Sequence, residues 1–177
     1  MQVEIKREKP QDREEVDQLF NLVFTPDGVL PLIKKMRESD IYIPELARVA
    51  RISDSIIGII MYTKGEIVRG RKHIPTLVLS SLAVLPKYQG LGVGSELISS
   101  SFDKAKRMGF DSVITFGQED YFSRFGFSPA QNFEITTSLE IPDEEFLTIE
   151  LQESSLNDAR GNLKNHAVFN DLVQFYL

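Results

Sequence analysis

The segment that most constrains this chain runs from Thr76 to Met108. Thr76 to Leu85 is an apolar run ended by Pro86, and the pattern predicts a strand buried on both faces. Val93 to Met108 places Val93, Leu97, Ile98, Phe102, Ala105 and Met108 on one helical face. Lys104, Lys106 and Arg107 fall in its last turn, and Gly109 follows as the terminating residue. Between strand and helix stand three glycines at alternate positions, Gly90, Gly92 and Gly94. Without Cβ atoms, their backbone N–H groups can converge, and the helix start adds its partial positive charge. A turn of this kind cradles an anion, and a pyrophosphate suits it.

Two nucleotide signatures are excluded at this turn. A P-loop requires Gly-Lys-Ser/Thr, whereas Gly94 is followed by Ser95-Glu96. A dinucleotide fingerprint requires a glycine where Ser95 stands, and an acidic residue after the next strand, where Thr115-Phe116-Gly117 stands instead. The chain also has no Cys, which removes disulfides, thiolate metal sites and a Cys nucleophile. With only His73 and His166, no metal site is expected. A formal charge of −6 argues against a nucleic-acid partner. The one basic cluster, Arg69, Arg71 and Lys72, reads as a solvated loop. No apolar run approaches the ~20 residues of a membrane span. Met1 to Arg13 is charged throughout, so no membrane partner and a cytoplasmic location are expected.

The 177 residues suit a single domain. Gln2 to Arg7 alternates like a short strand, and Pro10 opens a helix whose buried face is Val16, Leu19, Phe20, Val23 and Phe24. Pro26-Asp27-Gly28 stops it, and a second short helix is expected over Leu32–Arg37. Ala47–Ile52 and Ile56–Thr63 form a hairpin across Ser53-Asp54-Ser55, and Lys64–Lys72 reads as a loop. A strand over Ser112–Phe116, a short helix over Gln118–Phe125 and a strand over Phe146–Leu151 follow. The order is a mixed α/β pattern with a hairpin-rich first half. Val168–Leu177 is apolar enough to serve as a contact, so a homodimer is possible.

Gln89-x-x-Gly92-x-Gly94, preceded by Leu82-Ala83-Val84-x-Pro86, resembles motif A of the GNAT N-acetyltransferases. Tyr121-Phe122-Ser123-Arg124-Phe125-Gly126-Phe127 resembles that family's motif B, which ends in an aromatic followed by Gly-Phe. The likeness covers roughly residues 2–130, and 131–177 resembles the C-terminal extension of a poorly characterised bacterial and archaeal branch. The resemblance implies the acyl-CoA N-acyltransferase fold. That fold has a mixed, mostly antiparallel sheet with a splayed central parallel pair, flanked by helices. It implies acetyl-CoA as co-substrate, no metal, and transfer of acetyl to a primary amine, on a small molecule or a protein, by direct attack in a ternary complex.

Carried over residue by residue, the likeness gives Leu82, Ala83 and Val84 as main-chain partners of the pantetheine arm. The Val84 N–H becomes a candidate oxyanion donor. Gln89, Gly90, Leu91, Gly92, Val93, Gly94 and Ser95 are implied to hold the pyrophosphate. The family often places a Tyr acid four residues before the motif B glycine, and here that residue is Phe122, expected to pack against the cofactor arm. Tyr121, one step earlier, is the candidate acid, with a packing role as the alternative. The general base stays open among Glu119, Asp120, Glu96 and His73, each with a plainer reading as a solvated or helix-start charge. Two other functions compete: a non-catalytic acyl-CoA-binding or sensing module, and a partner-binding scaffold that keeps the fold alone.

Overall fold

The structure is a computed structural model that describes residues 1–24 and 28–176. The helix stop expected at Pro26-Asp27 lies outside them, as does Leu177. The strands are β1 (Glu4–Arg7), β2 (Arg48–Ile52), β3 (Ser55–Arg69), β4 (Lys72–Val84), β5 (Ser112–Phe116), β6 (Ser128–Pro129), β7 (Ile135–Thr137), β8 (Phe146–Glu150) and β9 (Gly161–Leu163). The helices are α1 (Arg13–Val23), α2 (Leu30–Glu38), α3 (Val93–Arg107), α4 (Glu119–Phe122) and α5 (Ala167–Tyr176). The chain forms two compact units, Met1–Tyr62 with Ser80–Ala105, and Thr63–Leu79 with Lys106–Leu177. Strands β3 and β4 each contribute residues to both.

In the first unit β1, β2, β3 and β4 are neighbours in that order, with β1 and β2, and β2 and β3, antiparallel. The β2–β3 turn is the expected hairpin, with Ser53 at φ 53°. Ala50 pairs Gly58 and Arg51 pairs Ile56, so Ile57 is an extra residue on β3, a β-bulge. The Ile57 carbonyl accepts the Leu85 N–H at 2.9 Å, just beyond β4. Helices α1 and α2 bury Val16, Leu19, Phe20, Leu32, Ile33 and Met36. A buried ion network ties them to the end of β1: Arg37 donates to Glu8 Oε1 at 2.7 Å and to Asp17 Oδ1 at 2.8 Å. Burial beside Glu8 pushes the Tyr42 hydroxyl up to about 12.

Helix α3 begins at the expected residue, but its buried face is Val93, Leu97, Ile98, Ser101 and Ala105. Phe102 is half-buried, and Met108, beyond the helix end, is 36% exposed. The polar Ser101 replaces them because a partner waits for it. Its Oγ lies 2.6 Å from the fully buried Tyr62 hydroxyl and donates to the Ile98 carbonyl at 2.7 Å. Both hydroxyls are thereby satisfied away from water. Gly58 lets α3 lie close to the strands. A Cβ there would stand 3.1 Å from Leu97 Cδ1, 3.2 Å from the Ala83 carbonyl oxygen and 3.3 Å from Val93 Cγ1. Gly58→Ala is expected to cost about 1 kcal/mol through overpacking. A thermal melt checks this as a fall of about 3 °C.

In the second unit β4 and β5 are parallel, with Leu77 opposite Val113 and Val78 opposite Ile114. One residue further, the Thr115 hydroxyl donates to the Leu79 carbonyl at 3.3 Å. On its other edge β5 pairs β8 over five residues, and β8 pairs β6. Strand β9 pairs β3 and β7. The stretch expected as a loop, Lys64–Lys72, is instead a hairpin that turns at Gly70-Arg71. Its polar side chains lie on the outer face, whereas Gly65 and Ile67 point inward and are buried. Residues 131–177 supply β7, β8, β9 and α5, of which sequence pattern predicts β8 alone; two- and three-residue strands carry too little periodicity to read.

Helix α5 corrects the reading of Val168–Leu177 as a contact surface. Val168, Phe169, Leu172 and Val173 are buried, and the Phe169 ring lies 6.2 Å from that of Phe116. Among the described residues, no helix is long and apolar enough to cross a membrane.

Candidate functional site

The glycine turn lies in the first unit. After β4 the chain makes one tight turn, Pro86–Tyr88, with Lys87 Nζ 4.8 Å from the centre of the Tyr88 ring. The Gln89 side-chain amide donates to the Val84 carbonyl at 2.9 Å, closing the loop back on the strand. Gly90 has φ 72° and Gly92 φ 87°, both left-handed, and an added Cβ would meet nothing within 4 Å at either position. Glycine is required there by backbone conformation, and the space above it is open. Gly94 differs, since it already belongs to α3. The Glu96 N–H donates to the Gly92 carbonyl at 3.0 Å, the first bond of the helical ladder. The N–H groups of Val93, Gly94 and Ser95 precede it, and a helix leaves its first donors without an intrahelical partner. The turn therefore presents backbone donors at the positive end of a fifteen-residue helix.

Leu82, Ala83 and Val84 are the last three residues of β4; Ala83 is buried and the other two half-buried. Leu91, at the tip of the turn, is 56% exposed, and Gln89, Gly90, Gly92 and Ser95 are exposed beside it.

The second unit carries the motif B residues. Gly117 (φ 81°) and Gln118 (φ 48°) are consecutive left-handed residues that throw the chain from β5 into α4. Gln118 has no glycine-like freedom, so it holds backbone strain. The Gly117 N–H donates to the Glu145 carbonyl at 2.6 Å, and the Gln118 carbonyl accepts the N–H groups of Tyr121 and Phe122. Sequence pattern carries no sign of the second left-handed residue.

Tyr121 is half-buried, edge-on to Phe122 and Phe125, and the Arg124 guanidinium lies 4.6 Å from the centre of its ring. Burial raises the Tyr121 hydroxyl pKa above the ordinary value, and Arg124 opposes this in part. Phe122 is 6% exposed and packs on Phe127, ring centres 5.4 Å apart.

The candidate bases stand on different elements. Glu119 and Asp120 open α4, and Glu96 is exposed in the first turn of α3. His73 is not in a loop: it is the second residue of β4, with Nδ1 3.0 Å from Glu66 Oε2. That hydrogen bond is the main cause holding the Glu66 carboxyl below its usual value. The His166 Nδ1 accepts the Val168 N–H at 3.1 Å at the start of α5, which gives it a capping role.

The family model for the acetyltransferase (GNAT) family matches residues 13–127. The uncharacterised N-acetyltransferase YhbS of Escherichia coli K12 is 27% identical over 167 residues, covering 94% of this chain and 98% of that protein. The uncharacterised N-acetyltransferase YjhQ of the same strain is 33% identical over 99 residues, 55% of this chain and about half of that protein (54%). Among solved structures, Escherichia coli YhbS in complex with CoA superposes with a TM-score of 0.86 at 25% identity, covering 96% of this chain and 93% of that one. A Brucella melitensis GNAT acetyltransferase in complex with acetyl-CoA superposes with a TM-score of 0.72 at 22% identity, covering 95% and 98%. The mostly antiparallel mixed sheet with its short parallel β4–β5 register is thus the fold of these proteins. With the motif A turn at the start of α3 and the family match extending to Phe127, this chain belongs to the acetyltransferase (GNAT) family.

Proposed function

We propose that this chain transfers the acetyl group of acetyl-CoA to a primary amine by direct attack in a ternary complex, and that residues 1–177 work as a single domain. The observation that carries the reading is the open pair of left-handed glycines, Gly90 and Gly92, at the start of α3. A pyrophosphate needs several donors converging on it with no side chain in the way. The complexes of the two relatives with CoA and acetyl-CoA support the same choice of co-substrate.

In this reading the backbone from Gln89 to Ser95 binds the pyrophosphate, and Leu82, Ala83 and Val84 pair with the pantetheine arm as an added strand would. The Val84 N–H hydrogen-bonds the acyl oxygen and strengthens that bond as negative charge grows there. Neither a metal nor a Cys is needed, because backbone dipoles supply the electrophilic assistance. Tyr121, a phenol that is protonated through neutral pH at the ordinary Tyr pKa of ~10, gives its proton to the departing thiolate, and the proton that the attacking amine loses restores the hydroxyl. The Phe122 ring, 6% exposed, offers the arm an apolar edge at most.

The test is thiol release from acetyl-CoA across a panel of amines. Tyr121→Phe is expected to lower the rate at least tenfold and to abolish the decline in rate above the ordinary Tyr pKa of ~10. An unchanged pH–rate profile removes Tyr121 from that role. Phe122 favours a second reading, a non-catalytic acyl-CoA-binding module, because it puts a buried phenyl ring where the family often has an acid. Tight acetyl-CoA binding with no turnover on any amine selects that reading.

A further inference from the structure

The Val84–Leu85 peptide, at the end of β4, is held from both sides. Its carbonyl accepts the Gln89 side-chain amide at 2.9 Å, and its N–H donates to the Ile57 carbonyl at 2.9 Å. Ile57 is the extra residue of the β3 bulge, so its carbonyl is displaced from the regular β2–β3 register. Beside it, Gly58 lets the Ala83 carbonyl approach where any Cβ would stand 3.2 Å from that oxygen. The bulge and the missing side chain thus shape the strand end from one side, and the Gln89 carboxamide shapes it from the other.

We propose that Gln89 is a positioning residue for the acyl group: through the Val84 carbonyl it fixes the end of β4, so that the Val84 N–H keeps its aim at the thioester oxygen. The inference rests on the functional reading above and changes the part given to one residue of it. The Gln89 side chain is drawn toward the strand and not toward the helix start, its carboxamide NH2 donating one N–H to the Val84 carbonyl. Its own backbone N–H is also engaged, donating to the Pro86 carbonyl at 3.2 Å. The same loop therefore links the two ends of the co-substrate.

Acetyl-CoA and CoA share the pyrophosphate and the pantetheine arm and differ only in the acyl group. Calorimetric titration of both into the parent and into Gln89→Met therefore isolates the effect. Met has nearly the length of Gln and no donor. The expected result is about a fivefold weaker affinity for acetyl-CoA, the loss of one hydrogen bond, with CoA changed less than twofold. Gln89→Arg restores an N–H donor and should return the ratio of the two affinities to that of the parent, even though its charge tightens both. Equal weakening of both ligands overturns the inference, since a phosphate contact or a general loss of structure acts on both alike. No change in either also overturns it. A parent that binds neither ligand rejects the functional reading itself, and the inference with it.

Discussion

Gly92→Glu is expected to weaken acetyl-CoA binding at least a hundredfold, measured by calorimetry, while the free protein remains folded. Strain and charge both act against the variant. A non-glycine residue at φ 87° carries left-handed strain of roughly 1–2 kcal/mol. Charge weighs more. A carboxylate at the N-terminus of α3 is itself an anion attracted to that helix end, so it competes for the donors and repels the pyrophosphate. The open space around Gly92 means the new side chain meets no protein atom within 4 Å of its Cβ, and the fold is not the casualty. Gly92→Ala separates strain from charge, since it adds the first without the second, and should cost binding tenfold or less. A Gly92→Glu protein that binds acetyl-CoA as the parent does would remove the cradle from this turn.

Phe169→Ala is expected to destabilise the protein by about 3–4 kcal/mol, the usual cost of emptying a buried aromatic site. Phe169 is 1% exposed, lies against the Phe116 ring, and has the His166 ring 5.8 Å away. Phe116 in turn stacks on Phe146, at 6.1 Å and 15° between the ring planes. The C-terminal helix is therefore joined to β5 and β8 through three aromatic residues. Urea unfolding should show the loss as a lower midpoint with an unchanged slope, in one transition if 1–177 is a single domain. A midpoint within the error of the parent would mean that α5 is an appendage and not part of the core.

What could be read from the chain depended on how local the physics was. Ser112–Phe116 was legible because five consecutive buried residues bounded by turn residues leave few options. The start of α3 at Val93 was legible because glycine spacing, the apolar face and basic last-turn residues agree. Lys64–Lys72 misled because the outer face of an antiparallel hairpin is polar, and Gly65 reads as a loop residue when it is a close-packing one. A Cβ at Gly65 would stand 3.1 Å from Val78 Cγ2 and 3.2 Å from Thr76 Cγ2, contacts invisible until β3 and β4 are paired. Ser101 misled for the same reason: its place in the buried face of α3 depends on Tyr62, 39 residues away.

The sequence by itself determined the glycine turn that opens α3 and the resemblance to the family, because Gln89, Gly90, Gly92 and Gly94 and the apolar face that follows are local in the chain. The tertiary structure alone decided three other matters. It turned the apolar side of α5 inward, it set Phe146–Glu150 between β5 and β6, and it brought the Ile57 carbonyl and the Gln89 amide to opposite sides of one peptide. Each of these is a long-range pairing, in which a residue's role depends on a partner that the chain reaches only after folding.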